Sequence, residues 1–314
     1  RRTFYRRSTK EKLCYMRLPQ LLQESQFFLF SGVEELLSAL GSVIDPAEKQ
    51  EVLRLADLGL PPISSKDALA TMLGINPGLL WSFENRPQKH YRVFTIPKGA
   101  GRERTIVAPK VALKVLQKWL SIQLQRNYVP PNHVFGFIPG RSHIQAAQKH
   151  LCARWTYSVD IENFFPTTSR DVVCEVFLQL GYSPESSQML AGFCCYKGFL
   201  AQGAPTSPVV SNLAFRNIDE RLVQLAERFG VRLSRYADDI VFSGIHDFPD
   251  ELRIDVDRIF GDSPWRLSPD KTEFDQLPRR LKVHGLLVHG ERVRLTKGYR
   301  NKLRAYAAVS LYTS

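Results

Sequence analysis

Three aspartates in this chain have the placement that phosphoryl-transfer chemistry needs. Asp238 and Asp239 are adjacent and lie between two strand-forming stretches, Arg232 to Tyr236 and Ile240 to Ser243, so Ala237, Asp238 and Asp239 are read as the tip of a hairpin. Asp160 closes a separate extended run, Trp155-Thr156-Tyr157-Ser158-Val159-Asp160-Ile161. Carboxylate oxygens grouped in this way can hold a pair of Mg²⁺ ions roughly 3.5–4 Å apart, one activating an attacking hydroxyl and one stabilising a leaving pyrophosphate. An Asp-Asp pair alone is an ordinary acidic turn. This pair differs in having Tyr236-Ala237 directly before it and a third carboxylate on a strand of its own.

The elements that must position these residues alternate between strands and helices. The strand ending at Asp160 is followed by a turn at Pro166 and a helix from about Ser169 to Leu180, and a second helical region runs from Ser207 to Phe229 with Leu213, Ile218, Leu222 and Leu225 on one face. Upstream, residues 1 to 60 carry helical periodicity, as in Val33 to Leu40. Ser64-Ser65-Lys66-Asp67 opens a helix over Ala68 to Leu73, which Pro77-Gly78 is expected to break. Short extended segments, Tyr91 to Ile96 and Glu103 to Ala108, flank the turn-like Lys98-Gly99-Ala100-Gly101, and residues 111 to 126 return to helical spacing. From Arg280 onward a strand pair turning at Gly290-Glu291 precedes a basic helix.

With 314 residues and 44% hydrophobic residues, the chain can bury a core the size of one large or two modest domains. The 43 Lys plus Arg against 31 Asp plus Glu leave a formal charge of +12, which favours a polyanionic partner, either nucleic acid or an acidic membrane surface. A basic patch at Arg1, Arg2, Arg6, Arg7, Lys10 and Lys12 is either a solvated tail or a nucleic-acid contact. No apolar run has the length of a membrane span, and Arg1-Arg2-Thr3 does not open a signal peptide, so the expectation is a cytoplasmic protein with no membrane partner. The first residue is not Met, and the basic run ends close to Ser314, so both ends are expected to continue. Cys14, Cys152, Cys174, Cys194 and Cys195 have no zinc-site spacing and are read as reduced packing residues. His133, His143 and His150 fit no zinc pattern either and are assigned to RNA contact or plain surface.

The chain resembles the reverse transcriptases, specifically the bacterial retron-type branch. Tyr236-Ala237-Asp238-Asp239 matches the family's Y-x-D-D box, and Val159-Asp160-Ile161-Glu162-Asn163-Phe164-Phe165 matches its earlier carboxylate motif. Gln202-Gly203-Ala204-Pro205-Thr206-Ser207-Pro208 matches Q-G-x-P-x-S-P, and Gly136-Phe137-Ile138-Pro139-Gly140-Arg141-Ser142 matches G-F-x-P-G-R-S. Order and spacing agree, and the resemblance runs from about Ser64 to the C-terminus. It implies an α+β right-hand polymerase, with fingers, a palm of antiparallel sheet flanked by helices, and a helical thumb. The division expected is an N-terminal helical extension over 1–63, fingers and adjoining palm segments over 64–158 and 161–205, palm over 159–280, and primer-grip strands with the start of the thumb over 281–314.

Roles follow from matching the motifs. The resemblance implies that Asp160 and Asp238 hold two Mg²⁺ ions, or Mn²⁺ in their place, with the Ile161 carbonyl as a further ligand and Asp239 in the same cluster. Phe165 falls where the family sets a ring under the sugar, which would reject a 2′-hydroxyl; the alternative is a packed core Phe. Gln202 and Gly203 would line the nucleotide pocket, the Gly so that substrate can approach closely. Lys98-Gly99-Ala100-Gly101-Arg102-Glu103-Arg104 resembles the fingers K-x-x-G-x-x-R, aiming Lys98 and Arg104 at the triphosphate. Lys271 matches a lysine proposed to protonate the leaving pyrophosphate, or else is a surface lysine. Arg141 contacts template or primer phosphate, or braces its loop.

Two retron features differ here. Ala146-Ala147-Gln148-Lys149-His150 stands where N-A-x-x-H is typical, and Val283-His284-Gly285 where V-T-G is typical. His284 and Gly285, with Lys297, Arg300 and Arg304 of the thumb, are expected to face nucleic acid, giving salt-dependent binding. The implied reaction transfers deoxynucleotides from their triphosphates to a primer hydroxyl on an RNA template. The implied setting is a structured noncoding RNA serving as template and primer, a DNA product joined to RNA, and a separate effector protein in anti-phage defence. The rivals are a non-retron bacterial defence reverse transcriptase making repetitive or untemplated DNA, and an inactive RNA-binding scaffold.

Overall fold

The computed structural model describes residues 18–99 and 101–311; the basic patch from Arg1 to Lys12 and Cys14 lie outside them. A short helix Gln20–Glu24 comes first, then helices Val33–Leu40, Pro46–Asp57 and Lys66–Leu73, the last capped by Ser65, whose side chain accepts from the Ala68 N–H, and closed by Gly74 in the left-handed region (φ 64). Pro77-Gly78 opens the next helix, Pro77–Asn85, rather than breaking the pattern. Proline is tolerated in a first turn because its missing N–H would have no intrahelical partner there, and Asn76 caps the Gly78 N–H.

Strands β1 (Tyr91–Gly99) and β2 (Arg102–Pro109) form an antiparallel hairpin, followed by helix Val111–Arg126. Leu113, Leu116, Trp119, Leu120 and Leu124 bury its apolar face in a core shared with the preceding helices. After helix His143–Gln148 comes β3 (Trp155–Asp160), a short helix Phe164–Thr167 where only a turn was expected, and helix Arg170–Leu180 capped by Ser169. Helix Pro184–Cys194 leads into a small hairpin of β4 (Cys195–Tyr196) and β5 (Phe199–Leu200). The helical region expected over Ser207 to Phe229 is two helices, Ser207–Ala214 and Arg216–Arg228, parted at Phe215. The break redirects the chain between cores: Val209, Val210 and Leu213 pack with the N-terminal helices, whereas Phe215, Ile218 and Leu222 pack against the central sheet.

That sheet is completed by β6 (Arg232–Tyr236), β7 (Asp239–Gly244) and, after helix Asp250–Gly261, β8 (Glu273–Gln276), in the antiparallel order β6-β7-β3-β8. Its period of two decides what each face carries. Trp155, Tyr157, Val159, Leu233, Ile240 and Phe242 pack into one core with helices Arg216–Arg228 and Asp250–Gly261. Asp160, Asp239, Ser234 and Ser243 alternate with these and fall on the opposite face. The C-terminal strand pair is a three-stranded sheet, β9 (Lys282–Val283), β10 (Leu286–Leu287) and β11 (Arg294–Leu295), in order β11-β10-β9, ahead of helix Lys297–Leu311. The architecture is α+β, as expected. No helix among the described residues is long and apolar enough to cross a membrane. Cys174, Cys194 and Cys195 are buried packing residues, and Cys152 is exposed.

Candidate active site

The β3–β7 register sets Asp160 directly opposite Asp239, and Asp239 in turn pairs with Tyr236 across the hairpin. The tip is therefore the two residues Ala237 and Asp238, with Asp239 already in the strand. Ala237 adopts φ 60, a left-handed conformation costly for a residue with a Cβ, so the surroundings must hold it. Two backbone-directed bonds do so: Ile161 N–H donates to the Asp238 carbonyl at 2.9 Å, and Arg235 Nη1 donates to the Ala237 carbonyl at 3.1 Å. On the other side Gly136 presses against the turn. A Cβ added there would sit 2.1 Å from the Ala237 nitrogen and 2.9 Å from its Cα, closer than any side chain can approach backbone. Gly136→Ala is therefore expected to displace the hairpin tip, costing about 1–3 kcal/mol in urea unfolding and roughly tenfold or more in nucleotide incorporation.

Beneath the tip lies a buried polar network that no motif announced. Arg235 is fully buried and forks onto Asp219, Nε to Oδ1 at 2.7 Å and Nη2 to Oδ2 at 2.6 Å. Its Nη1 also donates to Asn212 Oδ1, and Asn212 Nδ2 donates to the Gly136 carbonyl, each at 3.1 Å. His133 Nε2 lies 3.0 Å from Asp219 Oδ1. Burial alone would raise the Asp219 carboxyl, but the Arg235 guanidinium and the His133 bond hold it below the usual carboxylate range. His133 and His150 thus depart from the expectation of RNA contact or surface: both are buried and hydrogen-bonded within the protein.

A cleft of about 730 Å³ opens beside Asp238, and Lys98, Arg104, Phe165, Gln202, Asp238 and Lys271 line it together, whereas Asp160, Ile161, Gly203 and Asp239 are not part of its wall. Lys98 sits at the register shift between Pro97 and Gly99, where a bulge re-aims its side chain, and Arg104 pairs with Ile96. Phe164 is buried and Phe165 partly buried, and both form cleft wall; Phe165 stacks on Phe164 at 5.8 Å, faces Phe137 at 5.8 Å and also packs against the core. Gly203 needs correction as to reason. Its φ is +124 and an added Cβ would meet Ile106 Cγ2 at 3.0 Å and the Val107 carbonyl at 3.2 Å, so the glycine serves the packing of this loop on β2. The bond from Val107 N–H to the Gln202 carbonyl, 2.7 Å, ties the same loop down. Glu162, Asn163, Tyr196 and Ser268 also line the cleft and were not singled out from sequence.

Lys271 donates to Asp160 Oδ1. It is delivered there because Ile161 bridges to Leu267 and Ser268 N–H donates to the Asp160 carbonyl at 2.8 Å. Burial raises the Asp160 carboxyl above its ordinary value; the Lys271 hydrogen bond opposes this, and the nearby Asp238 and Asp239 charges add to it. Among the described residues, no three His, Cys, Asp or Glu side chains converge into a finished metal cage. The cation inside the cluster is the Lys271 ammonium. The donor set nonetheless suits a hard divalent ion: oxygen ligands only, from carboxylates crowded enough to disturb one another's ionisation.

The expected nucleic-acid contacts are distributed unevenly. Arg141 spends Nη1 on the Val134 carbonyl at 2.6 Å and on that of Pro131, and Nη2 on the Pro130 carbonyl at 3.2 Å, which is the geometry of a loop brace. The His284 side chain is only 3% exposed and bonds Asp239, so the expectation that it faces nucleic acid is corrected: the imidazole turns inward. Gly285 is exposed beside it, as are Lys297, Arg300 and Arg304 on the last helix.

Comparison with known proteins identifies the family. Residues 96–286 match the family described as "Reverse transcriptase (RNA-dependent DNA polymerase)". The chain is 33% identical to the retron Ec86 reverse transcriptase of Escherichia coli over 63% of its own length and 62% of the relative's. It is 31% identical to the retron Mx65 reverse transcriptase of Myxococcus xanthus, covering 80% and 64%, and 30% identical to the retron Mx162 reverse transcriptase of the same organism, covering 83% and 60%. The chain thus spans about three fifths of the length of these relatives.

Proposed function

The chain belongs to the reverse transcriptase family, and from that premise we propose that it is an RNA-directed DNA polymerase of the retron type. The observation that carries this reading is the convergence on one cleft of Lys98, Arg104, Phe165, Gln202, Asp238 and Lys271, which come from separate stretches of the chain. In this reading 64–158 and 161–205 are fingers and adjoining palm, 159–280 the palm, 281–314 the primer grip and first thumb helix, and 1–63 an N-terminal extension.

Each residue then has a physical task. Lys98 and Arg104, carried on the β1–β2 hairpin, bind the triphosphate and offset charge that moves during transfer. Phe165 supports the sugar, and Gln202 flanks the base and sugar while Gly203 lets its loop seat against β2. Asp160, Asp238 and Asp239, with the Ile161 carbonyl, would hold two Mg²⁺ ions, replaceable by Mn²⁺. When bound, these ions supply an activated primer hydroxyl and neutralisation of the pyrophosphate. Lys271 would give a proton to that pyrophosphate once it leaves Asp160. The exposed Lys297, Arg300 and Arg304, with Gly285, grip the nucleic-acid backbone, and Arg141 contributes by holding its loop. The partners are deoxynucleoside triphosphates, a structured noncoding RNA acting as template and primer, the resulting RNA-linked DNA, and a separate effector protein in anti-phage defence.

The test is incorporation of labelled deoxynucleotides with Mg²⁺ by the protein purified with its cellular nucleic acid, beside an Asp238→Asn, Asp239→Asn double variant, followed by sequencing of the product. A short unique DNA joined to RNA supports the retron reading. A homopolymer or repeat favours another bacterial defence reverse transcriptase, and RNA binding without synthesis in either protein favours a scaffold. Within the same assay Phe165→Ala is expected to let ribonucleotides in, lowering discrimination against the 2′-hydroxyl by roughly 10–200-fold, as lost pocket contacts do, with deoxynucleotide incorporation less affected. Unchanged discrimination would return Phe165 to the role of packing residue.

A further inference from the structure

Behind Asp239, away from the nucleotide cleft, runs a buried chain of polar side chains that the mechanism above does not use. Asp239 Oδ2 lies 2.8 Å from His284 Nδ1, and His284 Nε2 lies 3.1 Å from Ser234 Oγ. Ser234 Oγ is also 2.7 Å from His150 Nε2, and His150 Nδ1 is 2.7 Å from Ser243 Oγ. Ser234, Ser243 and Asp239 share one face of the central sheet through its period of two. His150 follows helix His143–Gln148, and His284 sits between β9 and β10, so two segments distant in sequence close over that face.

The donor and acceptor inventory fixes how this chain is wired. An ionised carboxylate only accepts, so His284 Nδ1 carries the proton. Ser234 Oγ has one proton and meets two imidazoles, so it donates to one and accepts from the other. With both imidazoles neutral, one arrangement satisfies every atom: Ser243 donates to His150 Nδ1, His150 Nε2 to Ser234, Ser234 to His284 Nε2, and His284 Nδ1 to Asp239. Burial above all, with the nearby Arg232 and Lys149 charges, pushes His150 down to about 3, in keeping with a neutral ring at the far end. His284 is further confined by the Tyr236 ring, 5.7 Å between centroids, and its side chain is 3% exposed.

We propose that His284 is a positioning residue for the catalytic carboxylates: its Nδ1–H fixes Asp239 Oδ2 and leaves Oδ1 to a divalent cation, while Ser234 and His150 set its tautomer and ring orientation. This rests on the reading of Asp239 as part of a metal-holding cluster. Groups that orient a metal ligand from behind in this way typically change metal affinity or activity by 10–100-fold.

His284 adopts φ 47, which Asn tolerates and Gly adopts freely, so two substitutions separate the donor from the backbone. His284→Asn keeps an N–H near the place of Nδ1; His284→Gly removes it. Mn²⁺ binding, read from loss of the free-ion electron paramagnetic resonance signal, is expected to weaken by about tenfold or more in His284→Gly and by less than about threefold in His284→Asn. In nucleotide incorporation kcat should follow the same order, with KM for deoxynucleotide changed by less than about twofold. Melting temperatures without metal establish that both variants fold. Equal Mn²⁺ affinity in the two variants, whether both unchanged or both lowered, would overturn the positioning role, as would a wild type that binds no Mn²⁺. A wild type that binds Mn²⁺ with the expected order among variants, yet makes no DNA, would instead defeat the polymerase reading and leave His284 as the orienter of a metal-binding Asp239.

Discussion

Replacing Asp160 by Asn is expected to abolish DNA synthesis, by on the order of 10³-fold or more, while leaving the metal-free protein as stable as the wild type or more so. The two effects come from one cause. The Asp160 carboxyl is raised above its ordinary value because burial and the Asp238 and Asp239 charges disfavour its ionised form. A carboxyl raised in the folded state contributes stability when protonated, present below its unfolded value of about 3.9 and lost as pH rises through the folded value. At neutral pH the wild type has lost that contribution. The neutral amide of Asn resembles the protonated form at every pH, so it relieves the repulsion and gives up only the Lys271 pair, whose ammonium is 36% exposed and can return to water. Thermal melts in the absence of metal, paired with primer extension, check both halves. A large loss of melting temperature would mean that the Lys271–Asp160 pair outweighs the crowding. Added Mg²⁺ should raise the wild-type melting temperature more than that of the variant.

How much of this was legible in the sequence follows the range of the interactions. The positions of Asp160, Asp238 and Asp239 could be read because strand alternation and a hairpin turn are local, although Asp239 belongs to the strand and not to the tip, and so could the helix Val111–Arg126 and the Ser65 and Ser169 caps. Helix Asp250–Gly261 passed unread although its signal was present, with Leu252, Val256, Ile259 and Phe260 at helical spacing. The break at Phe215 had no local mark; it exists because the two halves of that stretch serve different cores. Gly136 and Gly203 were recognised within motifs, but the reason for each glycine was out of reach. One makes room for the backbone of Ala237 and the other for Val107, both far away along the chain. Most hidden of all were the buried polar groups. In Arg232-Leu233-Ser234-Arg235-Tyr236 alternation puts Arg235 on the face of Leu233 and Arg232 on the other, but residue type argues against a buried arginine, and its counter-charge, Asp219, lies on another element; Arg235 is sealed against Asp219 while Arg232 remains partly exposed. Likewise His150 and His284 read as nucleic-acid or surface residues, because only the folded sheet brings Ser234 and Ser243 to them.

The same long-range network carries the largest expected effect on stability. Asp219→Ala leaves the Arg235 guanidinium buried without its counter-charge, and since both side chains are at most 1% exposed, solvent cannot screen the loss. Removing one partner of such a pair costs about 3–5 kcal/mol, a large share of the roughly 5–15 kcal/mol that holds a native protein together. Denaturant unfolding measures it. The sign with pH is fixed by the lowered Asp219 carboxyl. Its contribution is present above the unfolded value of about 3.9 and is lost as pH falls through the lower folded value, so acid should erode the wild type more steeply than the variant. Stability and positioning can then be parted by the double substitution Asp219→Leu, Arg235→Met, since apolar replacement of a whole buried pair is often neutral or better. Most of the unfolding free energy should return. Activity should not, because the 3.1 Å bond from Arg235 to the Ala237 carbonyl, which holds the tip of the Asp238–Asp239 hairpin in its left-handed conformation, is gone in the double variant as well. Full recovery of both would mean that the turn keeps its shape through Gly136 and Ile161 alone.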